Sequence, residues 1–304
     1  MRPALSVIFF TTASGAGYGL LALLGLLAPA GLTPAAPWFA AAANGLGLAL
    51  VTAGLLASVL HLGQPRRAWR AVTQWRSSWL SREGVAALAA YPVFLAFAMS
   101  WLVTGRPSAI LGALAAVIAA VTVFCTSKIY ATLRTIRQWN HPLTVPGYLL
   151  LSLFTGLVLL AALTLSPRIA SAAALAALAA LGLKHRYWRS IDRSMPTSTL
   201  ATATGLGHRG RVRLLDPPHG GANYLMHEMG YRLARANSAR LRAAVLAAGF
   251  ATPALLLIIG IAGGPFAVLA PIAAVLSLIG TLVERWLFFA EATHTQALYY
   301  GLDP

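Results

Sequence analysis

Acidic residues are scarce in this chain, and cysteine is nearly absent. Seven Asp and Glu stand against 23 Lys and Arg, a formal charge of +16, and charged residues of all kinds fill only 10% of the 304 positions. A water-soluble domain of this length needs more charge than that at its surface, so the soluble classes are disfavoured together. The one cysteine, Cys125, lies in an apolar run. A single thiol builds neither a disulfide framework nor a cysteine-ligated iron–sulfur cluster. Any such cluster belongs on another subunit, and no metal is expected in this chain.

Hydrophobic residues make up 58% of the sequence, and the mean hydropathy is +0.72. A helix that crosses ~30 Å of hydrocarbon needs roughly 20 mainly apolar residues. Eight segments meet that length, the sixth only marginally: 4–27, 38–62, 84–104, 108–130, 146–165, 168–188, 241–262 and 265–288. Gly105-Arg106-Pro107-Ser108, Ser166-Pro167 and Gly263-Gly264-Pro265 separate pairs of them as tight helical hairpins. Small residues at Ala13-Ser14-Gly15-Ala16 imitate a signal peptide, but the apolar run continues to Leu27 and reads as a retained first helix. Sheet is not expected, because helices satisfy their own backbone in lipid and no barrel-type alternation is present. The expected fold class is all-α, a polytopic membrane bundle of about eight transmembrane helices forming a single domain over 1–304.

Numbering the segments separates the two sides. Of the 23 Lys and Arg, only Arg106 and Arg168 fall on the side reached by the first, third, fifth and seventh connections. Long loops are unreliable guides, but without 184–242 and its 11 basic residues the balance is still 10 against 2. Both termini are therefore expected in the cytoplasm, in a bacterial inner membrane. All seven histidines and all seven carboxylates fall on or near that side too. Basic residues confined to loops between apolar runs mark topology, so nucleic acid is not an expected partner.

The second span ends in His61, and the connection that follows reads HLGQPRRAWRAVTQWRSSWLSRE through Glu83. Trp69, Trp75 and Trp79 fit an interfacial belt, the arginines fit topology anchors, and a histidine at a helix C-terminus complements the dipole. As a cluster they offer more. A quinone needs an apolar slot, donors to its carbonyls and a group that passes protons. His61, Arg67, Ser81 and Glu83 supply such groups at the membrane surface, with Trp75 and Trp79 as apolar walls. His61, with an ordinary pKa near ~6.5, can donate to a carbonyl and be reprotonated from water; Glu83 can orient it or relay the proton, and Arg67 can stabilise negative charge on the reduced ring. Arg66, Arg70 and Arg76, with Arg209, Arg211 and Arg213 further on, are candidates for docking a partner.

His61-Leu62-Gly63, Pro65, Arg67-Ala68, Ser78, Leu80-Ser81 and Glu83 together resemble the membrane-anchor subunit family of bacterial dimethyl sulfoxide reductases, ungapped across this connection. The resemblance implies a non-catalytic, metal-free anchor that holds a molybdopterin catalytic subunit and an iron–sulfur subunit and exchanges electrons with ubiquinone or menaquinone. It also implies that His61 matches the family histidine implicated in quinone binding. The long basic connection from Arg186 to Arg240 and the cytoplasmic placement of the motif are more similar to the anchors of cytoplasm-facing sulfite dehydrogenase complexes, in which electrons run from substrate to quinone. A quinol-oxidising anchor of a dimethyl sulfoxide reductase-type enzyme is the alternative within the family.

The connection over 189–240 is expected to be cytoplasmic and to dock the partner or to lie on anionic lipid, with 217–221 as loop and Tyr224 to Arg242 as a basic helical stretch. Gly205, Gly207 and Gly210 imitate a dinucleotide fingerprint, but no strand precedes them. His61, His185 and His294 lie near helix ends and none lies mid-membrane, which disfavours a bis-histidine haem. Proton pumping is disfavoured because Glu83, Lys128 and Glu284 all lie near helix ends and no relay crosses the interior. A small-solute transporter, the rival class, would place polar groups near the midplane on broken helices.

Overall fold

The computed structural model describes residues 3–60, 62, 64–194, 198–213, 215–216 and 237–300. Among these residues eight helices are long and apolar enough to cross a membrane: α1 (Leu5–Leu27), α2 (Pro37–Val59), α3 (Trp79–Thr104), α4 (Ala109–Ala131), α5 (Thr144–Thr164), α6 (Pro167–Arg193), α7 (Ser238–Ile261) and α8 (Phe266–Ala290). Among the described residues there is no strand, only an isolated bridge between Ile136 and His294. The expected all-α membrane bundle is the observed one.

The bundle is built around α1, which packs on α2, α4, α5 and α8. Without a hydrophobic drive between helices in lipid, close approach depends on small residues. At three crossings α1 supplies a glycine: Gly17 meets Gly47 and Val51 of α2, Gly19 meets Ser152 and Gly156 of α5, and Gly25 meets Gly112 of α4. A Cβ at Gly25 would collide with the Gly112 backbone. Gly249 of α7 makes the same kind of contact with Gly280 of α8, from within a π-helical turn over Val245–Ala251. The Pro92 and Pro271 interruptions leave α3 and α8 continuous.

Two boundaries differ from the sequence expectation, and both matter for the site. α3 begins at Trp79 rather than near 84, so Ser81 and Glu83 lie inside the helix and are buried. α6 runs through Arg193, past the expected end at 188, so the first residues of the expected 189–240 connection are helical and Lys184, 3% exposed, lies well inside the helix. An ammonium is tolerated there because it is paired with Glu284 of α8 at 2.5 Å.

The side carrying most of the basic residues is laced together. The Gln138 side-chain amide donates to Thr293 (2.9 Å), the Trp139 indole N–H to the Phe288 carbonyl (2.9 Å), and the Tyr187 hydroxyl to the Gln138 carbonyl (2.8 Å). These bonds fasten the α4–α5 connection to α6 and to the segment after α8. By contrast α2 leans on α1 and touches α3 only lightly, bridged by the Thr52–Tyr91 hydroxyl pair at 2.8 Å.

Candidate functional site

The connection between α2 and α3 opens with a 3₁₀ helix, Pro65–Val72, none of whose side chains is buried. Pro65 sits in its first turn, where a missing N–H costs nothing. Arg66, Arg67, Arg70 and Arg76 are exposed; Arg70 lies 5.4 Å from the Trp69 ring and Arg76 lies 5.5 Å from Trp75. The tryptophans themselves are 64% and 52% exposed, an arrangement suited to a headgroup layer or a partner rather than to a core. Arg82 closes the turn by donating to the carbonyls of Trp75 (2.9 Å) and Arg76 (2.7 Å). Its guanidinium then lies 4.3 Å over Trp79, with the Lys128 ammonium at 5.6 Å from the same ring and Phe124 edge-on at 5.8 Å.

One turn further along α3, Glu83 is 5% exposed. The Thr126 hydroxyl of α4 donates to its Oε1 and also reaches the Thr122 carbonyl. Among the described residues no Lys, Arg or His forms an ion pair with it. Four residues apart on one face, Trp79 and Glu83 both look toward α4. Ser81 is buried too, but two helical positions are roughly 200° apart, so it does not point where Glu83 points. The structure therefore brings Trp79 and Glu83 together with Phe124, Thr126 and Lys128, and leaves Arg67 and Trp75 outside that group. His61 and Gly63 lie outside the described residues.

Beyond α6, a five-residue helix, Leu200–Thr204, starts from a capping box between Thr199 and Thr202. Arg209, Arg211 and Arg213 follow it and are exposed. The 217–221 loop and the first part of the expected 224–242 helix lie outside the described residues; from Ser238 onward that stretch is the start of α7.

Sequence reasoning missed a second polar centre. Glu284 of α8 is fully buried, with Lys184 Nζ 2.5 Å from Oε1 and Arg285 Nε 2.5 Å from Oε2. Lys184 Nζ also lies 3.9 Å from the Tyr187 ring and 4.9 Å from Trp188. Arg242, at 5.6 Å from Trp188, binds Glu291 and Asp192, both at 2.8 Å. Burial raises the Glu291 carboxyl above the usual range although Arg242 pulls it down. Burial and then the Lys184 charge hold His141 below the usual imidazole range; its Nδ1 accepts the Leu143 N–H and its Nε2 faces the Ser190 hydroxyl. The available signal was Glu284-Arg285 inside an otherwise apolar segment, where charge is a functional hint by default.

Two comparisons bear on identity. The model of the family described as DMSO reductase anchor subunit (DmsC) matches residues 1–302. The chain is 35% identical over 327 residues to a subunit of the sulfite dehydrogenase of Allochromatium vinosum, with 99% of each protein covered. With eight membrane-length helices and this family signature over nearly its whole length, the chain belongs to the DMSO reductase anchor subunit family and is a multi-pass membrane anchor subunit.

Proposed function

We propose that this anchor passes electrons between an iron–sulfur subunit of a molybdopterin enzyme and the quinone pool. The similar protein is named as a sulfite dehydrogenase subunit; by that likeness the partner oxidises sulfite and electrons run toward quinone. The observation that carries the quinone reading is Glu83: a buried carboxyl, fixed by Thr126, with no cationic partner among the described residues, at the loop-side end of α3. An isolated buried carboxylate is costly, and a group so placed holds or hands on a proton instead.

Quinone, when bound, supplies two-electron, two-proton redox chemistry. This chain's part is to bind and to manage protons. Trp79, held between Arg82 and Lys128, gives a flat apolar wall with a positive rim. Glu83 on α3 is placed to hold a proton at its carboxyl, beside Trp79 on the side of the helix that faces α4. We assign His61, which follows α2 in the sequence, to the same quinone site; Arg67, Ser81 and Trp75 do not share the face of Glu83 and stay candidates from the sequence alone. Arg66, Arg70, Arg76, Arg209, Arg211 and Arg213 form the exposed basic surface for docking an acidic partner face. All eight spans are continuous helices, which speaks against the transporter alternative.

Coexpression with candidate iron–sulfur and molybdopterin subunits should yield a complex in mild detergent that carries iron–sulfur absorbance, weakened when the 190–240 connection is shortened. A chain that elutes alone from every coexpression would sink the assembly. The basic-residue asymmetry assigns both termini to the cytoplasm of a bacterial inner membrane. Reporter fusions at the two ends should be active only as cytoplasmic reporters; periplasmic activity at either end would invert the layout.

A further inference from the structure

Quinone binding at Glu83 leaves a neighbouring set of buried polar groups without a task. Between α1, α4, α5 and α8 lies a chamber of about 20 Å³ whose lining includes Tyr18, Thr126, Tyr148, Ser152, Thr281 and Arg285. That is room for a water molecule, which needs at least ~10–15 Å³, and far too little for a ring, since a cavity that takes up benzene measures roughly 150 Å³. The Tyr18 hydroxyl, the Thr281 hydroxyl and Arg285 Nη1 are buried and make no well-aligned hydrogen bond to a described residue, although Thr122 lies near the Tyr18 hydroxyl and Tyr148 near the Arg285 guanidinium. Several unpaired polar atoms around one water-sized space form a hydration site.

Its two ends are chemically distinct. Thr126, on one wall, donates to Glu83. Arg285, on another, donates to Glu284, which pairs with Lys184. From Lys184 the polar groups continue outward: Glu291 is within electrostatic range of the ammonium, and Arg242 joins Glu291 to Asp192, whose side chain is 57% exposed. A string of ionisable groups thus runs from solvent to Arg285 on one wall of the chamber, and Thr126 on another wall bonds Glu83.

We infer that the chamber is hydrated and that its water, with the Lys184–Glu284 pair, forms a proton path supplying Glu83 from the loop side of the bundle, separate from the α2–α3 connection. This rests on Glu83 being the proton-handling group of the quinone site. Lys184 hands a proton to Glu284 and takes one from Glu291, Glu284 releases its proton past the Arg285 guanidinium to chamber water, and that water protonates the Thr126 hydroxyl as the hydroxyl gives its own proton to the Glu83 carboxylate. Arg285 keeps its proton throughout and serves as fixed charge. The raised Glu291 carboxyl suits the entry, because it exchanges its proton closer to neutral pH than an ordinary carboxyl. Glu83, Lys184, Glu284 and Arg285 all lie toward the loop-side ends of their helices, so the path feeds protons in and does not pump them across.

The test uses the assembled complex with Tyr18→Phe and Thr281→Val, singly and together. Each removes a hydroxyl that makes no well-aligned bond to a described residue, so folding is expected to survive. If the chamber carries protons, the double variant slows proton uptake during quinone reduction at least about tenfold, within reach of the 10²–10⁴-fold typical of positioned proton transfer. The carboxyl C=O band of Glu83 in infrared difference spectra, identified as the band missing in Glu83→Gln, should persist but appear more slowly, and Thr126→Ser should restore the rate that Thr126→Val loses. Wild-type uptake and band kinetics in the double variant, with Glu83→Gln still blocking quinone-linked turnover, would overturn the path and leave the quinone site standing. Wild-type quinone-linked turnover in Glu83→Gln would instead remove the site on which the path depends.

Discussion

Glu83→Gln in the assembled complex is expected to lower quinone-linked turnover by roughly 10²-fold or more, the loss typical of removing a positioned acid–base group. The amide keeps the size of the side chain and can still accept from Thr126, so helix packing has no reason to change. It cannot carry a proton. His61→Ala is expected to lower turnover by a similar factor, since an imidazole at the end of α2 is the other group that can exchange protons there near neutral pH. Arg106→Ala, on an exposed turn at the opposite side, serves as the control and should do little. The measurement is steady-state reduction of a short-chain quinone, set beside the partner's activity with an artificial dye. A parallel loss of both activities would assign the two residues to assembly and return them to the bland role of helix-end polar groups.

The number of spans was legible because it rests on coarse quantities. Length and apolarity fix it without any knowledge of how the helices pack. The boundaries were less legible, for a reason seen at both errors. Charge lowers hydropathy at the end of a span, so the sequence places the start of α3 after Glu83 and ends a marginal sixth span at 188, among Lys184, Arg186 and Arg189. The helices continue through those charges because tertiary partners accept them, Thr126 for Glu83 and Glu284 for Lys184. Those partners are 43 and 100 positions away in the sequence, and nothing local announces them. The same holds for the chamber. Thr12, Tyr18, Ser152 and Thr281 each look like an isolated polar residue in an apolar helix, commonly satisfied by its own backbone, as Thr12 is by the Ile8 carbonyl. Only the packing of α1 against α4, α5 and α8 sets them around one space.

The largest stability effect is expected at Glu284. Glu284→Ala would leave Lys184 and Arg285, each about 3% exposed, as two buried cations with no counter-ion between them. Removing one partner of a buried ion pair costs about 3–5 kcal/mol, because the remaining charge stays desolvated and unpaired. Here a single change strands two charges and adds their mutual repulsion. The variant should therefore melt well below wild type in detergent, or fail to accumulate in the membrane. Replacing the charged set together, with Glu284→Leu, Lys184→Met and Arg285→Met, should recover most of the lost stability, since a well-packed apolar substitute for a buried ion cluster is often neutral or better. That recovery separates structure from function: the apolar triple variant should fold and assemble, yet retain the slow proton uptake of a chamber cut off from Lys184 and Glu284. Thermal unfolding followed by intrinsic tryptophan fluorescence reads the first half, and proton uptake on quinone reduction reads the second. A Glu284→Ala protein that melts with wild type would mean that the two cations reach water, and the buried cluster would lose its place both as a structural centre and as a proton path.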